Sequence, residues 1–329
     1  MANPVKPSSS RLYQGKWRLF LDWCQVKGIT PDRATIPQLA SFFHHLRKDK
    51  QLSISAVEGY RAALNQVFSL RGLDLTVSPE LSLLFKHFRK SCPPRELRTP
   101  HWDLALVLDS LRKPPYEPLD TASLKNLSLK ALFLLALASS ERVGELHGLS
   151  YEVSHTRHWK EMGFSFLPEF VAKTQDPSRR EDSFSSFVIP SLGEFTDFDR
   201  DEMILCPVRA MKAYLKRTRS HRPAIKRLFI TTVNHPRGIA KNTVSFWIRQ
   251  VIRRAYKDKQ ESMPEAKAHE LRGMSSSLLF KKNLSVSQVL RAGTWKSQTT
   301  FTSFYLQDVT FKSLDLFSLG PIVAAQEIL

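Results

Sequence analysis

The chain has few cysteines, too few acidic residues to balance its basic ones, and no long apolar run. Each shortage removes a class of protein. Three cysteines in 329 residues, Cys24, Cys92 and Cys206, are scattered without pairing or ligand spacing, which excludes both a disulfide framework and a zinc motif. They read as small buried apolar residues. The densest apolar stretch, Ala131 to Ala138, is far too short to span a bilayer. The opening MANPVKPSSS lacks the apolar core of a signal peptide. An intracellular, reducing compartment with no membrane role is therefore expected. No P-loop is present, so no nucleotide is expected. The ten histidines show no metal-ligand spacing, and no set of carboxylates suggests the converging ligands of a two-metal site. The expectation is no metal and no cofactor.

The acidic shortage is the positive clue. Lys and Arg number 49 against 31 Asp and Glu, a net charge of +18 and a pI near 9.9. Such an excess points to a polyanion, most often nucleic acid, because each neutralised phosphate releases counterions. Residues 1–98 hold 16 basic and 7 acidic side chains and residues 99–329 hold 33 and 24, so each part carries +9. Both parts could face one duplex. A basic cluster at Lys216, Arg217, Arg219, Arg222, Lys226 and Arg227 reads as a solvated helix end or a DNA-facing patch.

Apolar periodicity organises the chain. Residues 11–90 predict four helices. The first places Tyr13, Trp17, Phe20, Leu21 and Cys24 on one face and stops at Gly28; the second places Ile36, Leu39, Phe42, Phe43 and Leu46. The third opens with Ser55 and Glu58 at capping-box spacing and carries Tyr60, Leu64, Val67 and Phe68. The fourth starts at Ser78-Pro79 and buries Leu81, Leu84, Phe85 and Phe88. Three prolines between Cys92 and His101 mark a linker. Beyond it, helices are expected at 102–112, 121–138, 207–218, 242–256 and near 285–291. Phe164–Lys173 and Ser183–Pro190 alternate like the two strands of a hairpin. The expected architecture is mainly α with a small antiparallel sheet. It comprises a helical DNA-binding domain over 1–90, a linker over 91–100, and a larger α+β domain over 101–329.

Within the larger part, residues of one chemistry recur in order. Arg142 stands in SSERVGELHGL, Lys173 in FVAKTQ, His269 and Arg272 in AHELRG, Trp295 in AGTWKS and Tyr305 in TSFYL. Breaking a DNA strand without metal needs a nucleophile, cations around the phosphoryl oxygens and a proton donor for the leaving oxygen. A tyrosine phenol serves as nucleophile, and its phosphodiester adduct preserves the energy for rejoining. Two guanidiniums suit the non-bridging oxygens, being planar, permanently charged and bidentate. A lysine can protonate the leaving oxygen. Arg179 and Arg180 are alternatives to Lys173, but arginine hardly releases a proton. Histidine and the indole N–H add two donors.

This pattern and its order resemble the tyrosine recombinase (phage integrase-like) family, and the local wording resembles its branch in DIRS-type retrotransposons and related mobile elements. The resemblance covers roughly Leu97 to Val309, and the four-helix segment resembles the family's core-binding domain. It implies that Arg142, Lys173, His269, Arg272 and Trp295 surround the phosphate and Tyr305 attacks it, with Glu145 orienting Arg142. Gly273 stands where many relatives have a second histidine. The implied function is site-specific DNA recombination or integration through a 3′-phosphotyrosyl intermediate. A type IB topoisomerase-like strand transferase and a domesticated, non-catalytic DNA-binding protein are the alternatives. The implied partner is double-stranded DNA, held by Lys16, Arg18, Arg61, Lys86, Arg89 and Lys90 in the first domain and by Lys241, Asn242 and Arg249 in the second. The resemblance also implies a homo-tetramer on synapsed DNA, joined through an apolar tail after Asp308, while the free protein could be monomeric. The element type implies a nuclear location.

Overall fold

The structure, a computed structural model, describes residues 7–92, 101–172, 186–194, 200–281 and 302. The chain divides into two compact units, Met1–Glu96 and Leu97–Leu329. The expected fold class holds: the described residues are mainly helical, with one three-stranded antiparallel sheet.

The first unit has four helices, α1 (Pro7–Lys27), α2 (Ile36–Lys48), α3 (Ile54–Phe68) and α4 (Pro79–Lys90). Their apolar faces meet in an aromatic core. Phe20, Phe42, Phe43 and Phe85 are fully buried, with edge-on contacts between Phe20 and Phe42 (5.0 Å) and between Phe43 and Phe85 (5.4 Å). Burying each such ring contributes about 1.5–3 kcal/mol, and edge-on geometry suits the ring quadrupoles. Two local expectations need correcting. In α1 the inward position beside Phe20 is Trp23, three residues on, while Leu21 turns outward. In α3 the cap is Ser53, whose hydroxyl accepts from the Ala56 amide at 3.2 Å, not Ser55. Ser78 caps α4 as expected, accepting from the Leu81 amide.

The second unit is built around α6 (Leu124–Ser139), which follows α5 (Leu104–Leu111). Positions 127 to 137 of α6 are buried on every side, the mark of an interior helix. This explains the apolar run Ala131 to Ala138. Three helices pack on α6: α9 (Pro207–Thr218), α10 (Lys241–Asp258) and α11 (Glu270–Lys281). The short α7 (Val143–Gly148) and α8 (Arg200–Met203) complete the helical set among the described residues. The sheet runs β1 (Leu149–His155), β2 (Glu161–Phe166), β3 (Ser186–Pro190) in that order. The β2–β3 register pairs Glu161 with Pro190 and Gly163 with Val188. The expected hairpin is therefore present, but its first strand begins earlier and ends at Phe166 instead of continuing to residue 173. β1 was not anticipated, because it leaves α7 without a turn residue and buries only its first two positions. The expected helix near 285–291 lies outside the described residues.

One lysine is enclosed in this core. Lys130 on α6 has a fully buried side chain. Its ammonium donates to the Leu111 carbonyl (2.8 Å) and to the Glu117 carboxylate. Arg209 on α9 grips the same carboxylate with both terminal nitrogens, at 2.7 and 3.0 Å. Burial pushes Lys130 down to about 8, against the pull of Glu117. The basic cluster near Lys216 is also partly internal. Arg217 donates to the Ala122 carbonyl, Arg222 to the carbonyls of Ile225, Arg227 and Leu228, and Arg227 to the His147 carbonyl. Arg222 and Arg227, both half-buried, pin the segment before α10, which corrects the reading of these two as part of a solvated or DNA-facing patch; Lys216, Arg217, Arg219 and Lys226 stay exposed. Among the described residues, no helix is long and apolar enough to cross a membrane.

Candidate active site

The chain leaves α6 through Ser140, which adopts a left-handed conformation (φ 52°, ψ 22°). This sharp turn brings Arg142 to the N-cap of α7. Glu145 sits one turn on, and its carboxylate folds back to accept from the Arg142 amide (2.6 Å) and the Arg142 Nη1 (2.6 Å). A carboxylate at a helix N-terminus also complements the exposed amides there. Arg272, from the first turn of α11, approaches from the other side. Its Nη1 donates to the Ser140 carbonyl at 2.7 Å and lies 3.4 Å from the second Glu145 oxygen. Two arginines 130 positions apart in sequence thus share one buried carboxylate, each through its Nη1.

Burial opposes ionisation of Glu145, but a hydrogen bond with Glu141 and the charges of Arg142 and Arg272 outweigh it and hold its carboxyl below the usual range. Arg142, Arg272, His269 and Lys241 line a pocket of about 200 Å³, with Glu141 and Gly144 in its wall. His269 is exposed and stands just before α11. Lys241, the first residue of α10, sets its Nζ 3.5 Å from the point a Cβ on Gly144 would occupy, over the first turn of α7. Its charge, after burial and Arg227, helps keep the nearby His147 imidazole below its ordinary pKa. The pocket therefore offers several donors of positive or polarisable character to a tetrahedral anion. No cluster of His, Cys, Asp and Glu able to hold a metal occurs among the described residues.

Of the residues singled out from sequence, Arg142, Glu145, His269 and Arg272 come together here. Lys173, Trp295 and Tyr305 lie outside the described residues, as does the tail after Asp308. Lys241 joins the arginines at the pocket, whereas sequence alone gave it only a general DNA-contacting role. Asn242 is exposed beside it, and Arg249 donates back to the Ser245 carbonyl one turn earlier. In the first unit Arg18, Lys86 and Lys90 are exposed. Arg61 is committed internally, donating to the carbonyls of Leu75 and Thr76 and resting on the Phe85 ring. Arg89 pairs with Glu58 at 2.6 Å, and Lys16 lies 5.2 Å from the Tyr60 ring centroid. Glu141 was overlooked in the sequence. No spacing signalled it, because its burial follows from the left-handed turn at Ser140.

Sequence comparison finds no matching family model and no matching curated protein. Solved structures do match. The integrase of transposon Tn1549 in complex with transposon right end DNA superimposes with a TM-score of 0.58 at 14% identity, covering 94% of this chain and 92% of that one. A lambda integrase dimer bound to a COC′ core site gives 0.53 at 14% identity, with coverage of 94% and 92%. A lambda integrase tetramer bound to a Holliday junction gives 0.50 at 16% identity, with coverage of 92% and 73%. The chain has the tyrosine recombinase fold.

Proposed function

We propose that this protein is a tyrosine recombinase of a mobile element, a site-specific enzyme that cuts and rejoins double-stranded DNA without metal. One observation carries the reading: Arg142 and Arg272 converge on Glu145 at the wall of a pocket that His269 and Lys241 also line. Such a site suits the non-bridging oxygens of a phosphodiester and the extra charge they gain in a pentacoordinate transition state. In the proposed step the Tyr305 oxygen attacks phosphorus and passes its proton to His269. A 3′-phosphotyrosyl bond forms as the bond to the 5′ oxygen breaks, and Lys173 supplies the proton that this oxygen takes. The freed 5′ hydroxyl of a partner strand then attacks the adduct and releases Tyr305. Trp295 completes the donors around the phosphate. Exposed Arg18, Lys86, Lys90 and Asn242 serve as backbone contacts, which position a duplex without reading its sequence.

The fold shared with DNA-bound integrases supports this reading. By the same reasoning four protomers synapse two duplexes, and the DIRS-like wording of the motifs favours a nuclear location. The test is covalent trapping on a nicked duplex cut from the DNA flanking the reading frame. Wild type is expected to form a protein–DNA adduct and Tyr305→Phe none. An adduct that survives in Tyr305→Phe, or none from wild type on either flank, contradicts the reading.

A further inference from the structure

Glu141 has no assigned part in the proposed chemistry, yet the fold drives it into the pocket. The left-handed turn at Ser140 sends its side chain inward, so that the residue is 5% exposed and lines the pocket with Arg142, Lys241, His269 and Arg272. Its buried Oε2 receives no hydrogen bond from any donor, and its carboxyl lies against that of Glu145. A buried carboxylate oxygen with no donor is costly. Two buried carboxyls side by side titrate as a pair, and one of them readily takes the charge while the other keeps its proton.

The surroundings decide which is which. Glu145 accepts from the Arg142 amide and side chain and faces Arg272, so it carries the charge. Burial first, then the neighbouring Glu145, push the Glu141 carboxyl well above the usual carboxylate range, against the pull of Arg272 and Arg142. Among the described residues, the charged or titratable groups facing it are Glu145 on α7, Arg142 before α7, Lys241 on α10, His269 before α11 and Arg272 on α11.

We propose that Glu141 is a positioning residue of the anion pocket: as a neutral acid donating to Glu145, it adds no negative charge beside the two guanidiniums, and a tetrahedral oxyanion binds there together with that proton. With Glu141 ionised, a second carboxylate stands beside the guanidiniums and the attraction for an anion falls. By linkage, anion binding then draws a proton onto Glu141 as pH rises. The inference rests on reading this pocket as the phosphate site.

The test uses the full chain and sulfate, whose charge does not change across neutral pH. Sulfate affinity is measured by calorimetry from about pH 5 to about pH 9, a range that starts above the ordinary carboxyl value and covers strongly raised ones. Wild type should lose roughly tenfold or more in affinity over its Glu141 transition, since a new charge within a few ångströms acts at modest dielectric. Glu141→Gln should show no such loss, and Glu141→Asp, which keeps the acid, should restore it. Infrared difference spectra of wild type against Glu141→Gln at low pH within this range should show a protonated carboxyl band. Identical pH slopes in wild type and Glu141→Gln, no sulfate binding by wild type, or absence of that band overturns the proposal. If both signatures appear but no phosphotyrosyl adduct forms, the Glu141 assignment stands and the recombinase reading falls.

Discussion

Two buried charge clusters in the larger unit use the same chemistry to opposite ends. Around Glu117, Lys130 and Arg209 close on a single carboxylate, Lys130 on the interior helix α6 and Arg209 on α9. The lysine is sealed from solvent, and its amine has a backbone carbonyl and a carboxylate as partners. Around Glu145, Arg142 and Arg272 also share a carboxylate, but they line a pocket together with His269 and Lys241. A second carboxyl, Glu141, lies against the first. The first cluster holds helices together. The second holds cations at the edge of an open space, where an incoming anion can meet them. Burial of charge is therefore not in itself the mark of a functional site; what distinguishes the second cluster is the pocket its cations face.

Removing the shared acid from the closed cluster should have the largest effect. Glu117→Ala leaves Lys130 and Arg209 facing each other, with the lysine buried and lacking its counter-charge. The expected loss is about 3–5 kcal/mol of stability, read from denaturant unfolding. A loss below about 1 kcal/mol would mean that the cluster is more hydrated than its burial indicates.

The open cluster should respond in activity instead. Arg142→Lys keeps the positive charge but loses the fork that engages Glu145 and a phosphate together. Strand cleavage is expected to fall by about 10²–10³ with little change in the unfolding midpoint. The opposite pattern, intact cleavage and a large drop in stability, would erase the distinction between the two clusters.

A third, smaller effect follows from Lys130 and pH. Its folded value, about 8, lies below the ordinary 10.5. Between these values the unfolded chain binds the proton that the folded chain has lost. Stability attributable to this group therefore rises with pH from about 8, by at most about 1.4 kcal/mol per pH unit, and levels off near the unfolded value. Lys130→Met should remove that slope, measured as the difference between the two proteins' unfolding curves across the range.

Much of this could be read in the sequence. The faces of α2 and α4 are strict in their 3.6-residue period, and the all-apolar stretch in α6 marks a helix enclosed on every side. The errors arose where local signals compete. Ser53 and Ser55 both stand near the start of α3, and only the helix geometry decides which hydroxyl reaches an amide. Leu21 and Trp23 are both apolar, and a shift of one helical position exchanges their places. β1 escaped notice because a strand that buries only two side chains has no clear alternation. At the site, the order of Arg142, His269 and Arg272 was legible because each stands in a short motif. Glu141 was not, since a glutamate next to an arginine ordinarily reads as a surface ion pair; its burial depends on the left-handed turn at Ser140. Arg61 shows the converse: the single basic residue of α3 read as a phosphate contact, yet its guanidinium is committed to two backbone carbonyls.

The most direct measurement of the central claim is mass-spectrometric mapping of the trapped protein–DNA adduct after nuclease digestion. A nucleotide remnant is expected on the peptide carrying Tyr305, joined through a 3′ phosphate, with a free 5′ hydroxyl on the complementary fragment. A remnant on another residue, or cleavage that leaves a 5′ phosphate and no protein linkage, contradicts the claim.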